Sequence, residues 1–216
     1  RYYRKASKKN IRFLSTFDLD ANDRPIYFAD PAYFSILNEK GYAVEMVDAV
    51  SLPEYLDALP DHVLIVFSAK DDAAGQFDHN FSKTMSDYGF HQLNRTKYCH
   101  SYINLVYKNK GFMSLHEEVS EHALERHWKR YSLIRGIAVP FDLHVISQGA
   151  YAGNTSKIMV NGFACSRNQR GLNIAVLDME SGNVICTDRA DTCITNYVDS
   201  GMYVAIKTSS RSEVGT

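Results

Sequence analysis

The feature that most constrains the fold is the most apolar stretch of the chain, His62–Ala69 (HVLIVFSA). A short apolar run of this kind predicts a strand in the middle of a sheet. No apolar run approaches the roughly 20 residues that a membrane-spanning helix needs. The sequence therefore predicts a sheet-based protein without a transmembrane helix.

Strand and helix patterns alternate around this stretch. Further strands are predicted over residues 10–14, 25–29, 42–47 and 101–108. Helices are predicted from Asp30-Pro31 to Gly41, from a Ser51/Glu54 capping box, and within 77–89. This alternation favours a mixed α+β architecture.

A longer helical pattern follows at 113–137. Ser114 and Glu117 form a second capping-box pattern, and Gly136 is typical of a helix end. An imperfect apolar stripe supports the helix: Leu115, Val119, Ala123, Tyr131 and Ile134. We expect this segment to be a connector helix.

After the predicted connector, glycine turns and hairpins dominate the sequence. We therefore expect a first domain over 1–112 and a second over 138–216, joined by the helix at 113–137.

The stretch RGLNIAVLDMESGNVI, residues 170–185, predicts a strand, a tight turn and a second strand. Gly182 allows the positive φ that such a turn uses. Because strand side chains alternate, Ile174 and Val176 are expected on one buried face and Ala175 and Leu177 on the other.

This hairpin and its surroundings resemble the interleukin-like EMT inducer (ILEI) domain, also called the GG domain. The positions that fit the family pattern are Gly149, Gly153, Ile158, Val160, Asn161, Gly162, Arg170, Gly171, Leu172, Asn173, Asp178, Ser181, Gly182, Asp191 and Thr192. Ala190 departs from the pattern, because the family usually has phenylalanine there. The resemblance implies mixed and antiparallel sheets in a sandwich-like arrangement flanked by helices.

The first part of the chain resembles the remainder of the same pattern. The stretches HVLIVFSAKDDAAG (62–75), MSDYG (85–89) and SYINLVYKNKG (101–111) follow the family order, with Arg95 between the last two. We interpret the chain as two incomplete tandem copies, over about 60–111 and 143–208. Either the chain is a fragment of a repeat protein, or the two copies complete each other.

Charge and cysteine content exclude several classes of protein. The formal net charge of −1 does not indicate a partner such as nucleic acid or a membrane. None of the four cysteines lies in a CxxC pair, which disfavours a zinc knuckle. Cys186 and Cys193 could form a disulfide across a short loop, and four reduced thiols are the alternative.

Two groups of residues offer chemistry. Glu118 and His122 would lie one turn apart on the predicted helix and could hold a metal, but a solvated helix face is the preferred interpretation. Asp71 and Asp72 follow the central strand, where α/β enzymes often keep functional acids. Sequence signatures of serine hydrolases, P-loops and dinucleotide-binding folds are missing. We therefore expect no catalytic residues, no metal and no cofactor.

The resemblance implies binding or architecture rather than catalysis. We expect a virion protein that connects parts of a phage tail or tail fibre, with other virion proteins or further copies of itself as partners. The alternative is an extracellular carbohydrate-binding or cytokine-like domain, and a weaker one is a hydrolase or transferase using Asp71 and Asp72. The family motifs imply Arg95 and Asp191 as ligand-binding candidates. They also imply a structural motif: Arg170, Gly171, Asn173, Asp178 and Gly182.

Overall fold

The structure is a computed structural model of the chain. It describes residues 2–7, 17–19, 25–27, 43–73, 79–191 and 202–206. The predicted strand at 10–14, the predicted helix after Asp30-Pro31 and Cys193 lie outside these residues.

The described residues are mostly β-strand. The strands are β1 Tyr2–Ser7, β2 Phe17–Leu19, β3 Pro25–Tyr27, β4 Ala43–Ser51, β5 Val63–Asp71, β6 Ser101–Lys108, β7 Phe112–Ser120, β8 Leu124–Trp128, β9 Leu133–Ile134, β10 Ile137–Ala138, β11 Leu143–Gly149, β12 Thr155–Val160, β13 Phe163–Ala164, β14 Gly171–Asp178, β15 Val184–Asp191 and β16 Tyr203–Ile206. Two short α-helices accompany them, α1 Leu52–Asp57 and α2 His79–Ser86, with 3₁₀ turns at Leu93–Arg95 and Ala150–Ala152. The fold is therefore β-rich with few helices, which confirms the α+β prediction only in part.

Most of these strands form one sheet. Its order is β1-β4-β16-β15-β14-β5-β11-β12-β13, with β6 and β7 continuing from β5 and β8 paired to β11. One edge of β5 pairs with β14, and its other edge pairs first with β6 as far as Ser68 and then with β11 at Lys70 and Asp71. The sheet therefore divides at the end of β5, between β6 and β11.

The predicted central strand is confirmed. The apolar residues of β5 are buried, and Gly171–Asp178 pairs antiparallel with the whole strand, from Lys70 back to Val63. Unbroken pairing on this edge explains why a run without polar alternation is stable here.

The predicted alternation in β14 is also confirmed. Ile174 and Val176 join a core whose other members include residues of both α-helices. Ala175 and Leu177 join a second core with residues of β8, β11 and β12. The β5–β14 pair therefore carries a core on each of its faces.

Helix α1 begins as its sequence predicts. The Ser51 hydroxyl accepts a hydrogen bond from the Glu54 amide at 3.4 Å, and the Glu54 carboxylate accepts one from the Ser51 amide at 3.0 Å. At its other end, the buried Lys108 ammonium donates to the carbonyl oxygens of Leu56, Asp57 and Leu59 at 2.6–2.9 Å. A cation at the carbonyl end of a helix is favourable, and it fixes α1 against β6.

The predicted connector helix at 113–137 is wrong. These residues form β7, β8 and the β9–β10 hairpin. The turn at Lys110 and Gly111 returns the chain onto β6, because Lys110 takes a positive φ of 56°. Arg135 and Gly136, both with positive φ, form a hairpin turn rather than a helix end. Pairing with β6 and β11 overrides the helix propensity of the Glu- and Leu-rich sequence.

The two predicted domains, 1–112 and 138–216, are not separated by this segment. Their strands β5 and β14 are direct neighbours, and β4 pairs with β16. Residues from both regions share both cores. Strands of the two regions therefore form one sheet.

Candidate functional site

The division of the sheet places several loops together at the end of β5. Gly149, the last residue of β11, lies beside Asp71 in a parallel pairing, and its amide donates to the Ser101 hydroxyl at 3.1 Å. A side chain at Gly149 would overlap the carbonyl oxygen of Cys99. The backbone before β6 therefore rests directly on the end of β11.

A tight turn, Lys97–His100, stands on this contact. The His100 amide donates to the Lys97 carbonyl at 3.1 Å, and the buried Cys99 takes a positive φ of 60°. Tyr98 projects from the turn and is 65% exposed, while Tyr151 on the neighbouring 3₁₀ turn is 83% exposed. Their ring centroids lie 6.4 Å apart with the planes at 66°. We call Tyr98 and Tyr151 the tyrosine pair.

A carboxylate from the end of β5 and a guanidinium from the residue before β14 also meet here. Asp72 is buried, and its carboxylate lies 3.7 Å from the guanidinium of Arg170. A hydrogen bond with Cys99 raises the pKa of Tyr98 most, and the charge of Asp72 adds a smaller increase. The phenol of Tyr98 is therefore protonated at neutral pH, so it can both donate and accept a hydrogen bond.

The structure places only one of the two predicted ligand-binding residues, Arg95 and Asp191, in a cleft. Arg95 lines an open cleft of about 420 Å³, together with Lys97, His100, Val119, Ser120 and Glu121. Asp191 ends β15 opposite Tyr203, and its side chain lies outside the described part of the chain. The structure therefore places only Arg95 at a candidate site.

Glu118 lies on strand β7 and His122 lies between β7 and β8, so the Glu118/His122 pair considered on a helix does not form. Glu118 forms an ion pair with Arg126, and its second oxygen lies 3.3 Å from Nε2 of His116. Burial lowers the pKa of His116. Among the residues that the structure describes, no cluster of three or more His, Cys, Asp or Glu side chains could hold a metal ion.

The predicted structural motif has a physical role at each position. The Asn173 side chain donates to the Gln169 carbonyl at 2.7 Å and accepts from the Gln169 amide at 2.9 Å, which fixes the loop before β14. Asp178 accepts hydrogen bonds from the Ser181 amide and hydroxyl, and these bonds lower the pKa of Asp178. Gly182 closes this turn with a φ of 73°.

Two further motif positions lie at the start of β14. Gly171 has a positive φ of 96°, which favours glycine at this entry to the strand. The Arg170 carbonyl accepts a hydrogen bond from the Arg189 guanidinium at 3.0 Å. Together with the ion pair to Asp72, this contact joins β14, β15 and the end of β5.

Comparison with known families gives a match in the first half of the chain, which does not include these motif residues. Residues 25–110 match the interleukin-like EMT inducer family. The ILEI match confirms the resemblance over that range, which contains β4, α1, β5, α2 and β6. No curated protein and no solved structure gives a significant match to the chain.

Other features of the site were not predicted from the sequence. The tyrosine pair comes together because β11 packs against the loop before β6, and Ser120 reaches Lys97 and His100 because β7 pairs with β6. The one available signal was the position of each tyrosine, since Tyr98 precedes a predicted strand and Tyr151 lies between small residues in a glycine-rich turn.

No helix in the described part of the chain is long and apolar enough to cross a bilayer.

Proposed function

We propose that the chain is a non-enzymatic structural module that holds other protein chains in a virion, as part of a phage tail or tail fibre. Its partners are other virion structural proteins or further copies of itself. Three exposed apolar side chains on hydrogen-bonded segments support this proposal, and we call them the apolar rim: Tyr131, Leu133 and Phe163. Each is between 68% and 78% exposed.

Hydrogen bonds hold the segments that carry the rim against each other. The Asn161 amide donates to the Asp142 carbonyl at 2.9 Å, and the Arg130 amide donates to the Asp142 carboxylate at 3.0 Å. The Tyr131 amide donates to the Val139 carbonyl at 2.6 Å. Because its backbone is fixed here, the chain would lose little conformational entropy when a partner covers the rim.

Grouped apolar side chains on a surface mark an interaction site more often than single ones do. A stable protein interface buries on the order of 1,200 Å² or more in total. Three side chains cannot supply that area, so the rim would form the centre of a larger contact. The family resemblance supports the virion setting, because some ILEI-like domains are tail-fibre connectors.

The edge strand β7 gives the proposal only limited support. Among the described residues, β7 pairs only with β6, which leaves its second edge open to another strand. However, the Gln92 side-chain amide donates to the Glu117 carbonyl at 2.8 Å, and a bulge opposite Leu105 interrupts the register. Both features hinder strand addition along β7.

The proposal includes an α+β, sandwich-like ILEI architecture. The two cores on opposite faces of β5 and β14 support it. Residues of α1 and α2 cover one face, and residues of β8, β11 and β12 cover the other.

A second candidate function is carbohydrate binding at the tyrosine pair. Sugar rings stack on exposed aromatic faces, and carboxylate or guanidinium groups bind their hydroxyls. Tyr98 and Tyr151 supply the aromatic faces, the charge of Asp72 acts on the Tyr98 phenol, and Asp72 forms an ion pair with Arg170. This candidate fits a secreted protein.

Two variants distinguish the two functions. The rim variant carries Tyr131→Ser, Leu133→Ser and Phe163→Ser, and the pair variant carries Tyr98→Ala and Tyr151→Ala. We expect sedimentation equilibrium to show self-association, or a photo-crosslinker at position 163 to capture a protein in the particles that contain the chain. The rim variant should weaken association at least about tenfold, since buried apolar anchors dominate interfaces, and the pair variant should leave it unchanged.

One set of results would contradict the structural proposal. If the chain stays monomeric, gives no adduct from position 163, and binds a glycan on an array, the structural proposal is wrong. Loss of that glycan in the pair variant, with retention in the rim variant, would then establish the carbohydrate-binding function.

A further inference from the structure

The cleft beside Arg95 has two walls from different parts of the sequence. The loop before β6 supplies Arg95, Lys97 and His100, and the end of β7 supplies Val119, Ser120 and Glu121. Its volume of about 420 Å³ lies within the range of small-molecule sites, and it exceeds what a bare phosphate needs.

Hydrogen bonds fix the two walls against each other. The Glu117 carboxylate accepts from the backbone amides of His91 at 2.8 Å and Gln92 at 2.9 Å, and from the Tyr102 hydroxyl at 2.6 Å. The Arg95 amide donates to the Gln92 carbonyl at 2.9 Å, which closes the 3₁₀ turn. The cleft is therefore preformed, so binding requires little reorganisation of its backbone.

The side chains that line the cleft give it a positive balance. Arg95 and Lys97 each carry a positive charge, and Glu121 carries the one negative charge among the lining residues. Glu121 is exposed, and its carboxylate is 3.9 Å from Nε2 of His100, too far for a direct hydrogen bond. The Glu121 carboxylate therefore takes no direct hydrogen bond from His100. The Arg95 guanidinium donates once to the Gln92 side-chain oxygen, at 3.2 Å, and keeps further N–H donors for a ligand.

His100 contributes a further donor. Its side chain is 15% exposed, and its Nδ1 is buried without a hydrogen-bond partner among the described residues. A buried N–H without an acceptor is rarer in proteins than an unpaired acceptor, so the proton of the neutral ring belongs on Nε2. Nε2 is the nitrogen on the Glu121 side, and there it offers a donor at the cleft.

We propose that this cleft binds the phosphate or sulfate group of a small anionic ligand. Arg95 and Lys97 would pair with the oxyanion through charge-assisted hydrogen bonds, and His100 and the Ser120 hydroxyl would complete the donor set. The space beyond the oxyanion would hold the rest of the ligand. This site shares no residue with the apolar rim, so it does not depend on the structural function proposed above, and Tyr98 of the tyrosine pair lies on the turn that supplies Lys97 and His100.

The test is a calorimetric titration with four probes: inorganic phosphate, inorganic sulfate, glucose 6-phosphate and glucose. We expect binding of the anions and none of glucose, with affinity that falls as salt is raised. The double variant Arg95→Gln, Lys97→Gln should weaken binding at least about tenfold, as expected when charge-assisted bonds are removed. The matched control is Lys129→Gln, Lys157→Gln, which removes two exposed charges elsewhere and should bind as the unchanged protein does.

Each outcome decides the proposal. Tighter binding of glucose 6-phosphate than of phosphate supports a ligand larger than the anion, and equal binding assigns the site to the free anion. No binding of any anion at about 10 mM, equal weakening by the two double variants, or binding of glucose as tight as of its phosphate would overturn it. Amide shifts in the unchanged protein, expected at Lys97 and Ser120, locate the site if a variant does not fold.

Discussion

Replacing Val176 with aspartate should prevent the chain from folding. Val176 is fully buried in β14, between Ile65 of β5 and Cys186 of β15. A carboxylate there would have no partner in an apolar core, at a cost on the order of 4 kcal/mol or more. Such a loss is comparable with the whole stability of many domains. We expect insoluble protein, or soluble protein without a cooperative thermal transition.

The matched control for this change is Val184→Asp. Val184 lies on the adjacent strand β15 and is 41% exposed, so its carboxylate would remain hydrated. Its effect on the free energy of unfolding should stay within about 1 kcal/mol. A Val176→Asp protein that melts like the Val184→Asp protein would contradict the placement of β14 in the core.

Replacing Gly149 with alanine should have the second-largest effect. The glycine has a φ of −59°, so alanine meets no backbone strain, and the whole cost is steric. The added Cβ would overlap the carbonyl oxygen of Cys99 and lie 2.5 Å from its carbonyl carbon. Backbone on both sides would have to move, at about 3 kcal/mol or more, which lowers the melting temperature by roughly 6–12 °C.

Gly111→Ala is the control, because a Cβ at Gly111 has no atom within 4 Å. Its melting temperature should change by no more than about 2 °C. The Gly149→Ala protein should also lose the order of the Lys97–His100 turn, which stands on this contact. Equal melting temperatures for the two alanine variants would show that β11 does not approach the loop before β6 so closely.

Local sequence signals predicted the elements that are stabilised by nearby residues or that require complete burial. The capping box of Ser51 and Glu54 specifies the start of α1 through hydrogen bonds within four residues. The apolar run of β5 requires burial on both faces, whatever strands surround it. The turn around Asp178 and Gly182 is likewise determined by its own side chains.

The region at 113–137 could not be predicted in this way, because its conformation depends on distant strands. Its glutamate, leucine and alanine content favours a helix in isolation. As a strand, it gains hydrogen bonds along β6 and β11 and buries Leu115 and Leu124 in the second core. No local sequence pattern indicates this gain in hydrogen bonding and burial.

The candidate sites depend on the same long-range pairing. The cleft joins Lys97 to Ser120 across β6 and β7, and the tyrosine pair joins Tyr98 to Tyr151 across 53 positions of the sequence. The family pattern indicated Arg95 alone among the cleft residues. The residues around Arg95 could be predicted only from the turn at Lys110, which pairs β7 with β6, and from the position of the end of β11.

Segments from the two halves of the chain form one sheet, with β5 between β6 and β14. Cross-strand contacts between backbone protons, measured by NMR, test it most directly. We expect contacts of Val66 with Ala175 and of Leu64 with Leu177, together with contacts of Val66 with Leu105. Contacts of β5 with β6 alone, and none with residues 171–178, would contradict it.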